Sequence, residues 1–453
     1  MDEVRTVFED IRFTDFGNAK RFVRQNREIV RYCPEWKQWL VFREGIWEKN
    51  PRHHLWELAK STILTLYKEA ASELLSIGDR EELLKHAKRS SSPSRIKSML
   101  ELAQSDPEIL INAQQLDADP WLLNCQNGTL NLRTGDLSEH NSNDFLTKKA
   151  APLYDQSAGC PVFTDFISSI CGDNTSRVAF LKRVIGYSLT GFTTEQCFFV
   201  LYGRGANGKS TLVETIGLLM GDYAMNTPSE TLLSQHSSTI RNDIARLANA
   251  RFVSAAEVDH GRYLNEAKIK EVTGEYQVTA RFLYREFFTF TPIFKLFLTV
   301  NHLPEISGTD DGIWRRVIVV PFDFSIPAEE MDKDLPIKLQ GELPGILNWA
   351  LAGCREWQNQ GLAVPAELTA IRDRYRKDSD AVGEFMEDKC KFGPEKRVPL
   401  GLLYCAYLEW ADEACQEATG KKTFGALMKQ RGYRQRKSDR TRYWDGIALV
   451  KKE

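Results

Sequence analysis

Residues 198–217 read FFVLYGRGANGKSTLVETIG, and the reading of the whole chain starts from them. Phe198 to Tyr202 form an unbroken apolar and aromatic run of the length of a buried strand. Gly203, Arg204, Gly205, Ala206, Asn207, Gly208, Lys209, Ser210 and Thr211 follow at once, in the spacing G-x-x-x-x-G-K-S. Leu212, Ile216, Leu219 and Met220 then recur at helical intervals. Strand, glycine loop and helix in that order predict backbone N–H groups and a helix N-terminus turned toward phosphate. Lys209 is expected to reach the β- and γ-phosphates of ATP, and the Ser210 hydroxyl to ligate Mg2+. A glycine turn that holds no nucleotide is the plain alternative, and the flanking strand and helix weigh against it.

With 453 residues the chain is long for one domain, and roughly two to four are expected. Its 42% hydrophobic and 27% charged residues describe an ordinary globular protein. A net charge of −2 gives no overall nucleic-acid signature, which leaves only local basic patches to carry one. The nine cysteines show no CxxC pair and no zinc spacing, so reduced thiols in a cytoplasmic setting are expected. The opening MDEVRTVFEDIRFTD lacks a signal-peptide core, and no run reaches the length of a membrane helix.

Upstream of the loop, Trp36–Phe42 and Ile46–Trp47 flank Arg43-Glu44-Gly45, which predicts a small β-hairpin. Helical periodicity takes over from His54 to Leu110, with Ser94 as a candidate cap after Pro93. Lys85, Lys88, Arg89, Arg95 and Lys97 cluster there, a pattern that more often marks a solvated helix face than a nucleic-acid site. Trp121 to Leu137 holds two turn signals between short apolar runs, and the stretch around Ala158–Pro161 reads as a linker.

Downstream, Arg251 to Asp259 is an apolar strand ending in carboxylates about 50 residues after the loop lysine. Glu257 is the expected acid that holds Mg2+ through water or polarises the attacking water, with Asp259 a second candidate. An ordinary strand-end acid is the alternative. A third strand, Phe294 to Val300, ends at Asn301, whose amide suits orientation of a hydrolytic water. Asp310-Asp311-Gly312-Ile313-Trp314-Arg315-Arg316 then precedes the strand VIVVPF. Paired arginines at that point suit either structural ion pairs or a finger supplied to a neighbour's γ-phosphate.

The order GRGANGKST, a strand ending in Glu257, LTVNHLP and DDGIWRRVIVVPF resembles superfamily III helicases, in particular the phage/plasmid and poxvirus-type primase-helicases. The resemblance implies Glu257 as the Walker B acid, Asn301 as the sensor, and the arginine finger at Arg315 or Arg316. Two alanines precede Glu257 where the family often carries paired acids, a variant that also occurs in the poxvirus-like branch. Residues 264–292 fall where the family projects a DNA-binding hairpin into the channel of a hexamer. That places Lys268, Lys270, Tyr284 and Arg285 as DNA contacts; salt bridging between subunits or near ATP is the alternative for Lys268, Lys270 and Arg281.

The resemblance extends outward. It implies an α/β, AAA+-like P-loop core over 161–330, preceded by a mostly helical collar over 1–160. A helical lid or linker over 331–379 and a winged helix over 380–453 follow. The last segment is locally basic and interleaved with aromatics, and Arg434, Arg436 and Lys437 are its candidate DNA contacts. No acidic polymerase triad or zinc ribbon is seen in the first 150 residues, so a separate primase or polymerase is an expected partner. The activity so implied is an ATP-dependent replicative DNA helicase of a phage, plasmid or mobile element. It would be a homohexamer on single-stranded and forked DNA in the host cytoplasm, with 3′ to 5′ movement by analogy alone. An origin-binding initiator ATPase is the rival reading; a small-molecule phosphotransferase is a second, which the sensor and arginine spacing oppose.

Overall fold

A computed structural model describes residues 11–49, 51–234, 242–256, 262–274, 277–283, 286–306, 310–324, 329, 331–414, 418–438 and 441–450. Its central layer is a sheet of five parallel strands. In chain order they are β1 (Phe198–Tyr202), β2 (Ala224–Asn226), β3 (Phe252–Ala256), β4 (Lys295–Val300) and β5 (Val317–Pro321). They lie side by side in the order β5-β1-β4-β3-β2. Covered faces explain why β1 and β5 are apolar at nearly every position. Side chains still alternate: Phe199 and Leu201 enter one core, Phe198 and Val200 the other.

The first core packs the sheet against the helices Pro161–Ile170, Thr175–Leu189, Lys209–Met220 and Leu343–Gln360. Leu123, Cys125 and Leu130, from the antiparallel strands Leu122–Cys125 and Gly128–Asn131, and Leu132 just beyond them are buried in the same core. The expected domain limits at 160 and 330 therefore cut through shared packing. Apolar side chains on both sides of each limit lose water only against the same sheet. The second core joins Ile269, Val272, Val278 and Ala280 to Ile313, Trp314 and Tyr375.

The N-terminal part has its own core, between helices and an antiparallel sheet of Val30–Cys33, Gln38–Arg43 and Ile46–Lys49. The hairpin expected at Arg43-Glu44-Gly45 is present, with Arg43 opposite Ile46 and both Glu44 and Gly45 at positive φ. The helix expected to be capped by Ser94 instead takes Ser92 as its N-cap, with Pro93 in the first turn. Proline lacks the N–H that such a position leaves unpaired, which moves the start two residues earlier.

The C-terminal part runs helix Ala381–Lys389, strand Cys390–Pro399, helices Leu400–Glu413 and Lys421–Gln430, then strands Gln435–Ser438 and Thr441–Leu449. The last strand pairs between the other two, and Phe385, Tyr407, Phe424 and Trp444 fill a compact core of their own.

Two buried cations close the N-terminal end of the sheet, remote from the glycine loop. Arg251 donates to Leu189 O at 2.7 Å and Leu122 O at 2.9 Å, and lies over the Tyr223 ring at 4.7 Å. Lys295 donates to Thr190 O, to Ile293 O at 3.2 Å and to Phe192 O at 3.3 Å. Burial pulls the Lys295 ammonium well below the usual lysine range. Carbonyls at the end of helix Thr175–Leu189 carry partial negative charge, which is what these cations meet. Arg251→Met strands those carbonyls away from water, and urea unfolding should register a loss of about 3 kcal/mol.

Candidate nucleotide site and arginine pair

The glycine loop leaves β1 at Tyr202 and turns sharply, with Ala206 at φ +61° and Gly208 at φ +81°. A Cβ on Gly208 would sit 2.6 Å from the Ile170 side chain, so glycine is required there twice over. The turn aims the N-terminus of helix Lys209–Met220 at the space above the sheet.

Lys209 is buried, and its Nζ donates to Gly203 O at 2.5 Å and to Asn207 Oδ1 at 2.8 Å. The amide of Asn207 in turn donates from Nδ2 to Phe322 O at 2.9 Å, tying the loop to the end of β5. Burial lowers the pKa of Lys209. An ammonium whose partners among the described residues are neutral oxygens keeps its charge available to an anion.

Residues 205–211 line a cavity of about 1090 Å3 together with Ala256, Thr299 and Asn301. The sheet order explains the grouping. Because β4 lies between β1 and β3, their C-terminal ends bring Asn301 and Ala256 beside the loop. Glu257 follows Ala256 in sequence but, like Asp259, lies outside the described residues. The Ser210 side chain is exposed at the cavity wall, a hard oxygen donor of the kind Mg2+ takes alongside phosphate oxygens and water. Among the described residues no cluster of three or more His, Cys, Asp or Glu could hold a metal by itself. The opposite wall was not foreseen: Val162, Phe166 and Ser169 come from helix Pro161–Ile170, and Met331, Lys333 and Leu335 from beyond β5.

The two arginines part company. Arg315 is exposed, with Nη2 3.4 Å from Gln196 Oε1. Arg316 is 6% exposed and donates from Nη1 to Gly312 O at 2.6 Å. Both precede Val317, which pairs with Phe198, whereas the glycine loop follows Tyr202, which pairs with Pro321. At ~3.3 Å per residue, four steps along β1 separate the arginines from their own loop by about 13 Å.

The candidate DNA contacts have varied surroundings. Lys270, on helix Glu266–Thr273, places Nζ 2.8 Å from Asp310 Oδ2, an ion pair within the chain that differs from the bridging between subunits or near ATP expected as the alternative. Lys268 is half-buried on the same helix. Strands Val278–Ala280 and Phe288–Phe290 form the hairpin; Tyr284 and Arg285 lie outside the described residues. Beside them Leu283 and Phe287 are exposed, and Arg281 lies over the Phe287 ring at 4.8 Å. Arg434, Arg436 and Lys437 are exposed, and Arg436 pairs with Asp445 at 3.2 Å. Among the described residues no helix is long and apolar enough to cross a membrane.

Comparison with known proteins bears on this arrangement. Residues 19–172 match the D5 N terminal like family, and residues 201–316 match a family of unknown function, DUF5906. A protein named "Putative helicase" from Acanthamoeba polyphaga mimivirus is 30% identical over 318 residues, covering 65% of this chain and 32% of that one. One of the same name from Frog virus 3 is 26% identical over 287 residues, covering 58% and 29%. A third, from Sputnik virophage, is 24% identical over 271 residues, covering 54% and 34%. The chain thus spans about a third of the length of these relatives. The apo structure of the NrS-1 C terminal region shares the fold at a TM-score of 0.52 and 10% identity, covering 94% of this chain and 98% of that one. The chain thus carries a D5 N terminal like region and a DUF5906 region, and it is similar to part of several viral proteins named putative helicases.

Proposed function

We propose that the chain is the ATP-hydrolysing motor of a replicative DNA helicase of the superfamily III type, with an AAA+-like core. The observation that carries this reading is the single cavity shared by the glycine loop, Asn301 and the end of β3. Lys209 and the N–H groups of the loop hold the β- and γ-phosphates, and Asn301 orients a water toward the γ-phosphate. Ser210 holds Mg2+, with Glu257 as the acid expected behind it. The metal, when bound, supplies charge neutralisation at the phosphate oxygens.

Placement of the arginines favours an oligomer. Arg315 is too far along the sheet to serve its own loop, yet it is exposed and suited to complete the site of a neighbouring subunit. We assign the finger to Arg315 and a packing role to Arg316. A closed ring satisfies that head-to-tail contact at every interface, and a hexamer is the size the family resemblance implies. Hairpin 278–290 then faces the channel, and the C-terminal part, read as a winged helix, adds a second DNA contact through Arg434, Arg436 and Lys437. A phage, plasmid or other mobile element is the proposed setting, with movement 3′ to 5′.

Strand displacement tests the reading. With ATP and Mg2+, the protein should release the labelled strand of a forked duplex, and only when the 3′ arm is single-stranded. Displacement from a fork with only a 5′ arm would reverse the polarity. Sequence-selective DNA binding without displacement would instead favour the initiator.

A further inference from the structure

The segment Asp310–Arg316 can be accounted for residue by residue. Asp310 caps the short helix Asp311–Trp314, its Oδ1 accepting from Ile313 N at 3.2 Å. Its other oxygen, Oδ2, takes the Lys270 ammonium at 2.8 Å. Asp311 pairs with Arg376 at 2.8 Å. A Cβ on Gly312 would lie 2.6 Å from Asp310 Oδ1, so glycine leaves room for the carboxylate that receives the lysine. Trp314 packs edge-on against Tyr375 at 5.1 Å, and the Tyr375 hydroxyl donates to Pro304 O, three residues beyond Asn301. Arg315 emerges from this turn into solvent.

Lys270 therefore sits where two moving parts of a motor would meet. Its helix, Glu266–Thr273, leads directly in sequence to the hairpin strands and shares a core with Ile313 and Trp314. We infer that Lys270 is a positioning residue for Arg315: through Asp310 it fixes the turn that presents the arginine, and so couples the arginine to the hairpin. This rests on the motor reading above. Lys270 and Asp310 are 33% and 41% exposed, so their ion pair adds little stability. Arginine placement is more demanding, since small displacements of a group at the reacting phosphate cost large factors in rate.

The test is a double-mutant cycle on full-length protein, read as kcat and KM for ATP at saturating single-stranded DNA. Lys270→Met and Asp310→Asn should each lower kcat about tenfold, with KM within about twofold and little change in melting temperature. Asparagine preserves the cap, so Asp310→Asn removes only the charge. The double variant should be no slower than the slower single, and Lys270→Arg should recover most of the rate. Gly312→Ala, which displaces the Asp310 carboxylate without removing it, should lower kcat as Lys270→Met does. Wild-type kcat in Lys270→Met overturns the inference, as do multiplying effects in the double variant. So does a Lys270→Met defect that appears only as a higher DNA requirement and is absent from Asp310→Asn, since Lys270 would then contact DNA. If DNA fails to stimulate even the wild type, the motor reading falls and takes the inference with it. A stimulated wild type beside a normal Lys270→Met rejects the inference alone.

Discussion

Arg315→Ala should lower kcat for ATP hydrolysis by about 10^3-fold and leave the protomer folded, because a finger neutralises charge that develops only during phosphoryl transfer. The side chain is exposed and its guanidinium meets Gln196 Oε1 at 3.4 Å, so its removal disturbs little packing. Arg316→Ala is the contrasting variant. Arg316 is buried and donates to Gly312 O at 2.6 Å, so its loss should appear as lower thermal stability of the protomer. Mixing separates action within a subunit from action between subunits. Lys209→Ala protomers keep Arg315, and Arg315→Ala protomers keep Lys209. An equal mixture that exchanges freely assembles about a quarter of its interfaces with both groups intact. Hydrolysis should therefore rise well above that of either variant alone. A mixture no faster than its parts would place the arginine's action within one chain, against the geometry of β1 and β5.

Lys209→Ala should remove hydrolysis by at least about 100-fold and weaken ATP binding, since the ammonium meets the phosphates both in the bound complex and during transfer. Two neutral oxygens, Gly203 O and Asn207 Oδ1, hold Lys209, and among the described residues no carboxylate does. The variant thus leaves no buried anion uncompensated, and its melting temperature should stay near that of the wild type. Lys209→Arg should not rescue, because the guanidinium is a wide planar fork and this site is shaped around a point charge. Isothermal titration with an ATP analogue, beside steady-state hydrolysis, reads both effects. Hydrolysis at the wild-type rate in Lys209→Ala would remove the glycine loop from the chemistry.

The local part of the site was legible in the sequence; its assembly was not. Strand, loop and helix at 198–220 are contiguous, and each is dictated by its own residues, down to the left-handed turn at Gly208. That β4 separates β1 from β3, and so carries Asn301 to the loop, depends on pairing between strands about 40 to 100 residues apart. Periodicity holds no trace of that pairing; Asn301 is read from its place at a strand end and from the family resemblance, neither of which gives the strand order. The walls contributed by Val162, Phe166, Met331 and Leu335 were missed for the same reason, since apolar helix positions read alike whether they face a core or a cavity. Arg315 and Arg316 are identical in sequence terms. Only the end of the short helix turns one to solvent and the other inward. Lys270 was grouped with DNA contacts because a helix-borne lysine reads the same whether phosphate or Asp310 receives it. The limits at 160 and 330 follow a linker signal and the family resemblance, which do not reveal that Leu123 and Leu347 lie in one core.

The central claim is that ATP hydrolysis here serves movement on DNA. Its most direct test is steady-state ATP hydrolysis by the full chain, with and without single-stranded DNA, at concentrations where rings form. The account predicts severalfold faster hydrolysis with DNA, lost in Lys209→Ala, and strand displacement at a matching ATP dependence. Hydrolysis indifferent to DNA, with no displacement of a forked duplex, would contradict it.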